Sequence, residues 1–290
     1  MYPPKFDYAA PRSLDEALGL LSDRGEDVKV LAGGQSLIPM MKLRLASPAM
    51  LIDINRLPGL SEIAESDGYL RLGALVRHND VGNSDLVSRR NPTMAAAAPW
   101  IADPIVRNRG TVCGALAHAD PLGDWASVML ACDAEVVATS ASGQRTIPMR
   151  DFITDVFTTA LREDELLTEV RVPVSGSRTG GDYQTLERKV GDYATAAVAT
   201  RLDLDEDGRI VGAGIALTSV CSINTKVTEA EALLIGQQPS TELFVEAAEI
   251  AARTATPQDD VRGPAEYKRD VVRVFTRRGL ATSLELAQAG

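Results

Sequence analysis

Two short stretches combine residue types that grip an anion. Val28 to Leu37, VKVLAGGQSL, runs as an apolar segment and then breaks into Gly33-Gly34 and two small polar residues. An apolar run of this kind reads as a buried strand, and glycines directly after it leave successive backbone N–H groups free to converge on a phosphate. Gly110 to Ala115, GTVCGA, has the same character and follows Ile101 to Arg109. A pair of such loops suits a diphosphate better than one, although a single Gly-Gly after a strand is also what a plain tight turn looks like. The dinucleotide signature G-x-G-x-x-G with an acid about 20 residues on is absent. Asp53 falls near the right distance, but the glycine spacing does not match.

Directly beyond the second loop, His118-Ala119-Asp120-Pro121-Leu122-Gly123-Asp124 carries an imidazole and two carboxylates. These read as an acid–base pair or as partners for the ribose hydroxyls of a bound nucleotide. With no nucleophile or metal set beside them the second reading is favoured, and a turn capped by Asp120 is the plain structural alternative. Further on, Glu187 to Ala194, ERKVGDYA, sets Tyr193 where the chain re-enters a strand. That tyrosine suits stacking near a planar ring or half-burial in the strand.

Composition bounds what these residues can be for. The 290-residue chain is 45% hydrophobic and 24% charged, with room for two or three packed units. Its net charge of −10 argues against a nucleic-acid partner, which needs clustered cations. Cys113, Cys132 and Cys221 stand far apart, and His78 and His118 are the only histidines, so neither an iron–sulfur nor a zinc site is expected within the chain. No apolar run reaches the roughly 18 residues of a membrane span, and MYPPKFDYAAP does not read as a secretory leader. A cytoplasmic location is the default expectation.

The elements that position the loops follow from pattern. Pro11 to Asp23 reads as a helix with Ser13 and Glu16 as a capping box and Leu14, Ala17, Leu18 and Leu21 as its apolar face. Met50 to Ile54 is a strand, completing a βαβ-type lobe over residues 1–55. Residues 56–175 form a second lobe, with strands at Leu70–Ala74 and Ala134–Ala138, a short helix at Pro92–Ala102 interrupted by Pro99, and a helix at Asp124–Cys132. Ser175-Gly176 to Gly180-Gly181 reads as a flexible linker into residues 176–290. There Ala194–Leu204 and Ile210–Val220 pair around Asp205-Glu206-Asp207-Gly208. Helices follow at Thr228, with Glu231 in a capping box and Gly236 as a stop, at Ser240–Arg253 and at Glu266–Arg278. On the last, Tyr267, Val271, Val274 and Phe275 share an apolar face, and Lys268, Arg269, Arg273 and Arg277 a solvated basic one.

The stretches LAGGQSLIPMMKLRLASPAMLIDI, IADPIVRNRGTVCGALAHADPLGDW, ERKVGDYATAA and RGPAEYKRD together resemble the FAD-binding medium subunit of the molybdenum hydroxylases, and within that family aerobic carbon monoxide dehydrogenase most. The resemblance runs through nearly the whole chain. It implies an α+β fold: two α/β lobes holding FAD between them, of the vanillyl-alcohol oxidase/PCMH type, then a C-terminal domain of a small antiparallel sheet and helices. By position, it implies that Leu31, Ala32, Gly33, Gly34, Gln35, Ser36 and Leu37, with Thr111, Cys113, Gly114 and Ala115, hold the diphosphate. Ile101 and Tyr193 would lie at the isoalloxazine, with Lys189 a polar neighbour. His118, Asp120 and Asp124 would reach the ribose and adenine side, and Leu167 would pack on the adenine. Where many members have Gly-Gly and then Asn or Ser, this chain has Cys113-Gly114-Ala115, losing one side-chain hydrogen bond.

The resemblance also implies a division of labour. A large subunit with a molybdenum cofactor oxidises the substrate, a small subunit with two [2Fe–2S] clusters relays electrons, and FAD on this subunit passes them to an acceptor such as a quinone. It implies a dimer of heterotrimers, associated with the inner face of the membrane through the complex. No catalytic residue and no metal ligand is expected in this chain. The rival is a stand-alone FAD-dependent oxidase or dehydrogenase, which needs its own base and substrate pocket.

Overall fold

A computed structural model describes residues 2–289. The first unit alternates β1 (Asp7–Ala9), α1 (Leu14–Arg24), β2 (Val28–Leu31), α2 (Leu37–Lys42) and β3 (Met50–Asp53), with all strands parallel in the order β1-β3-β2. Because parallel neighbours point the same way, the carboxyl ends of β2 and β3 lie together, and the first glycine loop leaves from that edge. α1 is held as its sequence predicts: Ser13 Oγ accepts from Glu16 N at 3.2 Å, and Ala17, Leu18 and Leu21 are buried. The Glu16 carboxylate reaches past Ser13 to accept from Arg12 N at 2.9 Å, so the reciprocal half of the expected box is one residue displaced.

The second unit is built on a five-stranded antiparallel sheet. Its elements are β4 (Ile63–Ser66), β5 (Tyr69–Gly73), α3 (His78–Gly82), α4 (Asp85–Arg90), α5 (Pro92–Ala97), α6 (Pro104–Arg107), α7 (Val112–His118), α8 (Asp124–Ala131), β6 (Glu135–Ser140), β7 (Gly143–Pro148) and α9 (Met149–Phe152). β8 (Ile153–Asp155) and β9 (Thr158–Thr159) form a two-stranded ribbon, and β10 (Leu166–Pro173) returns to the centre of the main sheet, order β4-β5-β10-β6-β7. Six helices thus intervene between β5 and β6, and the second glycine loop lies among them. Trp125 and Phe152 are fully buried there, each side chain contributing about 1.5–3 kcal/mol or more on burial.

The third unit has β11 (Thr179–Leu186), β12 (Ala196–Leu204), β13 (Ile210–Thr218) and β14 (Thr225–Lys226) in an antiparallel sheet of that order, then α10 (Thr228–Leu234), α11 (Thr241–Thr254) and α12 (Ala265–Ala289). The β12–β13 hairpin turns at Asp205–Gly208 as read from sequence.

Four expectations change here. Gly180-Gly181 is not a linker but the start of β11: a Cβ at Gly180 would come within 2.7 Å of Ala287 N, and one at Gly181 within 2.8 Å of Thr93 N. These glycines let α12 and α5 press onto the strand. Thr228 makes no cap, and the Glu231 carboxylate instead turns inward to accept from Ile215 N at 2.8 Å, fastening α10 to β13. α12 continues through Gly279 to Ala289 and buries Val272, Thr276, Gly279, Leu280, Ser283 and Ala287, while Tyr267 is 46% exposed. Lys268, expected on a solvated face, is buried and ion-paired to Asp260 at 2.8 Å.

Candidate functional site

Beyond β2 the chain passes through Ala32–Ser36 into α2. The five consecutive amides of Gly33, Gly34, Gln35, Ser36 and Leu37 donate to no acceptor among the described residues; the next, Ile38 N, bonds Gly34 O at 3.1 Å. Gly34 sits at φ +71°, which turns its amide away from the strand direction and is cheap only for glycine. Leu31 and Ala32 lead into this turn, and Ala32 O is fixed by Asn55 Nδ2 at 2.8 Å.

The second loop meets the first backbone to backbone. A Cβ on Gly33 would lie 2.7 Å from Gly110 Cα and 3.0 Å from the Arg109 carbonyl carbon, so the loops touch only because Gly33 has no side chain. Thr111 caps α7, its Oγ1 accepting from Gly114 N at 3.0 Å, and Ala115 N bonds Thr111 O at 3.0 Å. The amides of Gly114 and Ala115, expected to face an anion, are therefore engaged in starting the helix. Those of Thr111 and Cys113 have no acceptor among the described residues. The Cys113 side chain points away, 2% exposed with Sγ 3.9 Å from Leu72 O, and burial pushes its thiol pKa up.

One arginine ties the loops together. Arg77 Nη1 donates to Arg109 O, and Nη2 donates to Asn55 Oδ1 at 2.6 Å, while the Asn55 amide holds Ala32 O. Asn55 is itself braced by Asp53, which accepts from Asn55 N at 2.9 Å and from the Tyr8 hydroxyl at 2.6 Å. A cradle of unpaired amides from two abutting loops, too tight at Gly33 for a Cβ, fits a diphosphate.

The segments that carry Ile101 and Tyr193 meet elsewhere. Ile101 is 6% exposed, and Arg107 Nη1 donates to Ile101 O at 3.1 Å and Ala102 O at 2.8 Å, clamping that turn. A Cβ at Gly191 would lie 3.2 Å from Asp103 Cβ, so the Glu187–Tyr193 loop rests on the Ile101–Asp103 segment. Tyr193 is 46% exposed; burial of its inner part, then the Asp120 carboxylate, pushes its phenol up to about 12. Lys189 is exposed on the same loop.

The His118–Asp124 segment lines the seam with the third unit. His118 Nε2 is 3.9 Å from Asp120 Oδ2, and burial lowers its pKa, so the contact joins a neutral imidazole to a carboxylate at pH 7. Asp120 Oδ1 accepts from Leu122 N at 2.9 Å, the capped turn that the sequence admitted. Asp124 Oδ1 accepts from the Tyr183 hydroxyl at 2.5 Å, and burial raises its pKa to about 6 against that hydrogen bond. Asp124 thus spends one oxygen on the inter-unit seam. Leu167 is 4% exposed in β10, beside Leu166 in the central core.

Sequence reasoning missed Asn55, Arg77, His78, Trp125 and Tyr183. Asn55 had a usable signal, since it follows the carboxyl end of a strand parallel to the one feeding the first loop. Among the described residues no three His, Cys, Asp or Glu side chains gather as a metal site.

Comparison with known proteins adds to this geometry. Residues 4–175 match the family described as the FAD binding domain in molybdopterin dehydrogenase, and residues 182–283 that described as the CO dehydrogenase flavoprotein C-terminal domain. The chain is 41% identical over 281 residues to the carbon monoxide dehydrogenase medium chain of Hydrogenophaga pseudoflava, covering 97% of each. It is 40% identical over 288 residues to the 6-hydroxypseudooxynicotine dehydrogenase complex subunit alpha of Paenarthrobacter nicotinovorans, covering 99% of this chain and 97% of that one. The solved carbon monoxide dehydrogenase from Hydrogenophaga pseudoflava, in a form lacking the Mo-pyranopterin moiety, has a chain that superposes with a TM-score of 0.95, at 41% identity and 99% coverage of both.

Proposed function

The chain belongs to the family of FAD-binding medium subunits of the molybdenum hydroxylases, and from that premise we propose that it carries electrons from the [2Fe–2S] clusters of a small partner subunit to an external acceptor. The observation that carries the reading is the pair of abutting loops with unpaired amides. FAD, when bound, supplies a redox centre that accepts electrons singly and releases them in pairs. The work left to the protein is to hold and orient it.

Gly33 to Leu37, with Thr111 and Cys113, offer main-chain donors to the diphosphate, and Arg77 fixes the gap between them. The clamped Ile101 turn and the half-exposed Tyr193 flank the place for the flavin ring. His118, Asp120 and Asp124 are assigned to the ribose and adenine side, and Leu167 to the adenine. A three-part division at 55/56 and 175/176 fits one main sheet in each part, with the two-stranded ribbon of β8 and β9 in the second. The stand-alone oxidase is disfavoured because the titratable groups around the 118–124 segment are already engaged: Asp124 by Tyr183 and Asp120 by the Leu122 amide.

The partners in this reading are a large molybdenum-cofactor subunit and a small iron–sulfur subunit, arranged as a dimer of heterotrimers, with a quinone as acceptor. No helix of the described residues is long and apolar enough to cross a membrane. In this reading the complex works in the cytoplasm, against the inner membrane face. Carbon monoxide is the first substrate assigned to the complex. Chains of nearly equal similarity serve complexes named for carbon monoxide and for 6-hydroxypseudooxynicotine, so substrate choice is assigned to the large subunit. The test is affinity purification through this chain from its native host. Flavin absorbance, iron, molybdenum and carbon monoxide oxidation with a dye acceptor are expected together. A colourless chain refutes FAD binding; a yellow chain that oxidises an organic substrate without iron or molybdenum establishes the rival. A complete complex that oxidises an N-heterocycle or an aldehyde but not carbon monoxide overturns the substrate assignment alone.

A further inference from the structure

His78 is 5% exposed at the start of α3, directly beneath the second loop. Its main-chain N–H donates to Gly110 O at 3.1 Å. In its ring, Nδ1 accepts from Trp125 Nε1 at 2.9 Å. Indole is a donor only, so the accepting Nδ1 carries no proton and the neutral imidazole must carry it on Nε2. Burial, reinforced by the cations Arg77 and Arg107, brings the pKa down to about 4, which keeps the ring neutral near pH 7. Trp125 thereby makes Nε2–H a fixed donor.

That donor has no acceptor among the described residues, since the indole is the only hydrogen-bond partner of the ring. With no such acceptor and with a path to the surface, the Nε2–H is free to donate to a bound ligand. Nε2 lies against Gly110, where a Cβ would come within 2.6 Å of it. Gly110 is also the residue on which Gly33 rests. The unpaired N–H is thus packed against the junction at which the two sets of free amides meet.

We propose that His78 is a cofactor-binding residue whose Nε2–H, oriented by the Trp125 indole, donates to a phosphate oxygen of the FAD diphosphate at the junction of the two glycine loops. This rests on the FAD reading and deepens it. Trp125 is the positioning residue, acting on the cofactor only through the imidazole. A neutral donor suits the place, because the neighbouring guanidinium of Arg77 is engaged in holding the loops and an imidazolium would add a further charge beside it.

The test uses the full chain, stripped of flavin and titrated with FAD. His78→Leu should weaken FAD binding at least tenfold and move the ³¹P resonances of the bound diphosphate. His78→Gln, whose side-chain amide can put an N–H near the Nε2 position, should recover most of the affinity. Trp125→Phe frees the ring to change tautomer and should fall between wild type and His78→Leu. In wild-type chain labelled with ¹⁵N-histidine, the Nε2–H signal of His78 should shift on adding FAD, a readout that needs no variant to fold. Wild-type affinity in His78→Leu, equal losses in the Leu and Gln variants, or an unmoved Nε2–H signal in FAD-loaded chain would each overturn the proposal while leaving FAD binding intact. A wild-type chain that takes up no FAD overturns both readings.

Discussion

Gly33→Ala is the sharpest perturbation that the fold offers. The added methyl would sit 2.7 Å from Gly110 Cα and 3.0 Å from the Arg109 carbonyl carbon, where ordinary contacts begin at 3.4 Å. Both neighbours are backbone, so neither can rotate aside, and Arg109 O is also held by Arg77. The loops must therefore part by several tenths of an ångström. Overpacking of this kind costs about 1–3 kcal/mol, and because it acts on the loop spacing most of it should appear in FAD affinity, as a loss of roughly 5- to 150-fold. Fluorescence titration of stripped chain with FAD, alongside thermal melts without FAD, separates affinity from folding. Gly19→Ala is the matched control: Gly19 lies in α1 with nothing within 4 Å of an added Cβ, so the substitution should raise stability by about 1 kcal/mol and leave FAD binding alone. If Gly33→Ala binds FAD as wild type does, the abutting-loop argument is refuted.

Two further outcomes follow from the same fold. Gly180→Ala brings a Cβ within 2.7 Å of Ala287 N and 2.8 Å of the Ser283 carbonyl carbon, and should lower the melting temperature by several degrees, at a cost of about 1–3 kcal/mol or more; an unchanged melt would mean that α12 is not seated on β11. Asp124 is held above its ordinary 3.8 at about 6, so its protonated form favours the fold; the stabilisation it gives is complete below pH 4 and is lost as pH rises through 6. Asp124→Asn should remove that slope and gain relative to wild type above pH 6, by at most about 3 kcal/mol for a half-buried group. Urea midpoints of both proteins at pH 4, 5, 6 and 7.5 would check this, and parallel pH curves would refute it.

What the sequence revealed was whatever one local pattern decides. An apolar run ending in two glycines is a strand and a loop wherever it occurs, so Val28 to Leu37 and the Asp205–Gly208 hairpin were legible without neighbours. Glycine was misread wherever its purpose was contact. Gly180 and Gly181 are small because helices press on them, although locally they look like a linker, and Gly279, just past the Arg278 end expected for the last helix, lets α12 approach Thr200. Glu231 shows the same limit, since its place three residues after Thr228 suggested a cap while its partner is the Ile215 amide of a strand. Of the candidate site, the amides could be read and the ties between them could not. Arg77, Asn55 and Ala32 are brought together by the juxtaposition of two sheets, which no spacing along the chain encodes. The His78–Trp125 pair, 47 residues apart, belongs to the same class.

The meeting of Gly33 with Gly110 makes the receptor a property of two halves rather than of either. A fragment that stops after β3 would still display five empty-handed amides, yet nothing would stand opposite to fix their aim, and it would fail as a miniature flavoprotein. The same logic says where the gene tolerates cutting. Supplying the halves as separate polypeptides should restore binding only when they dock closely enough for those two bare α-carbons to touch, which makes complementation of split chains a gauge of how well the wall between the halves is assembled.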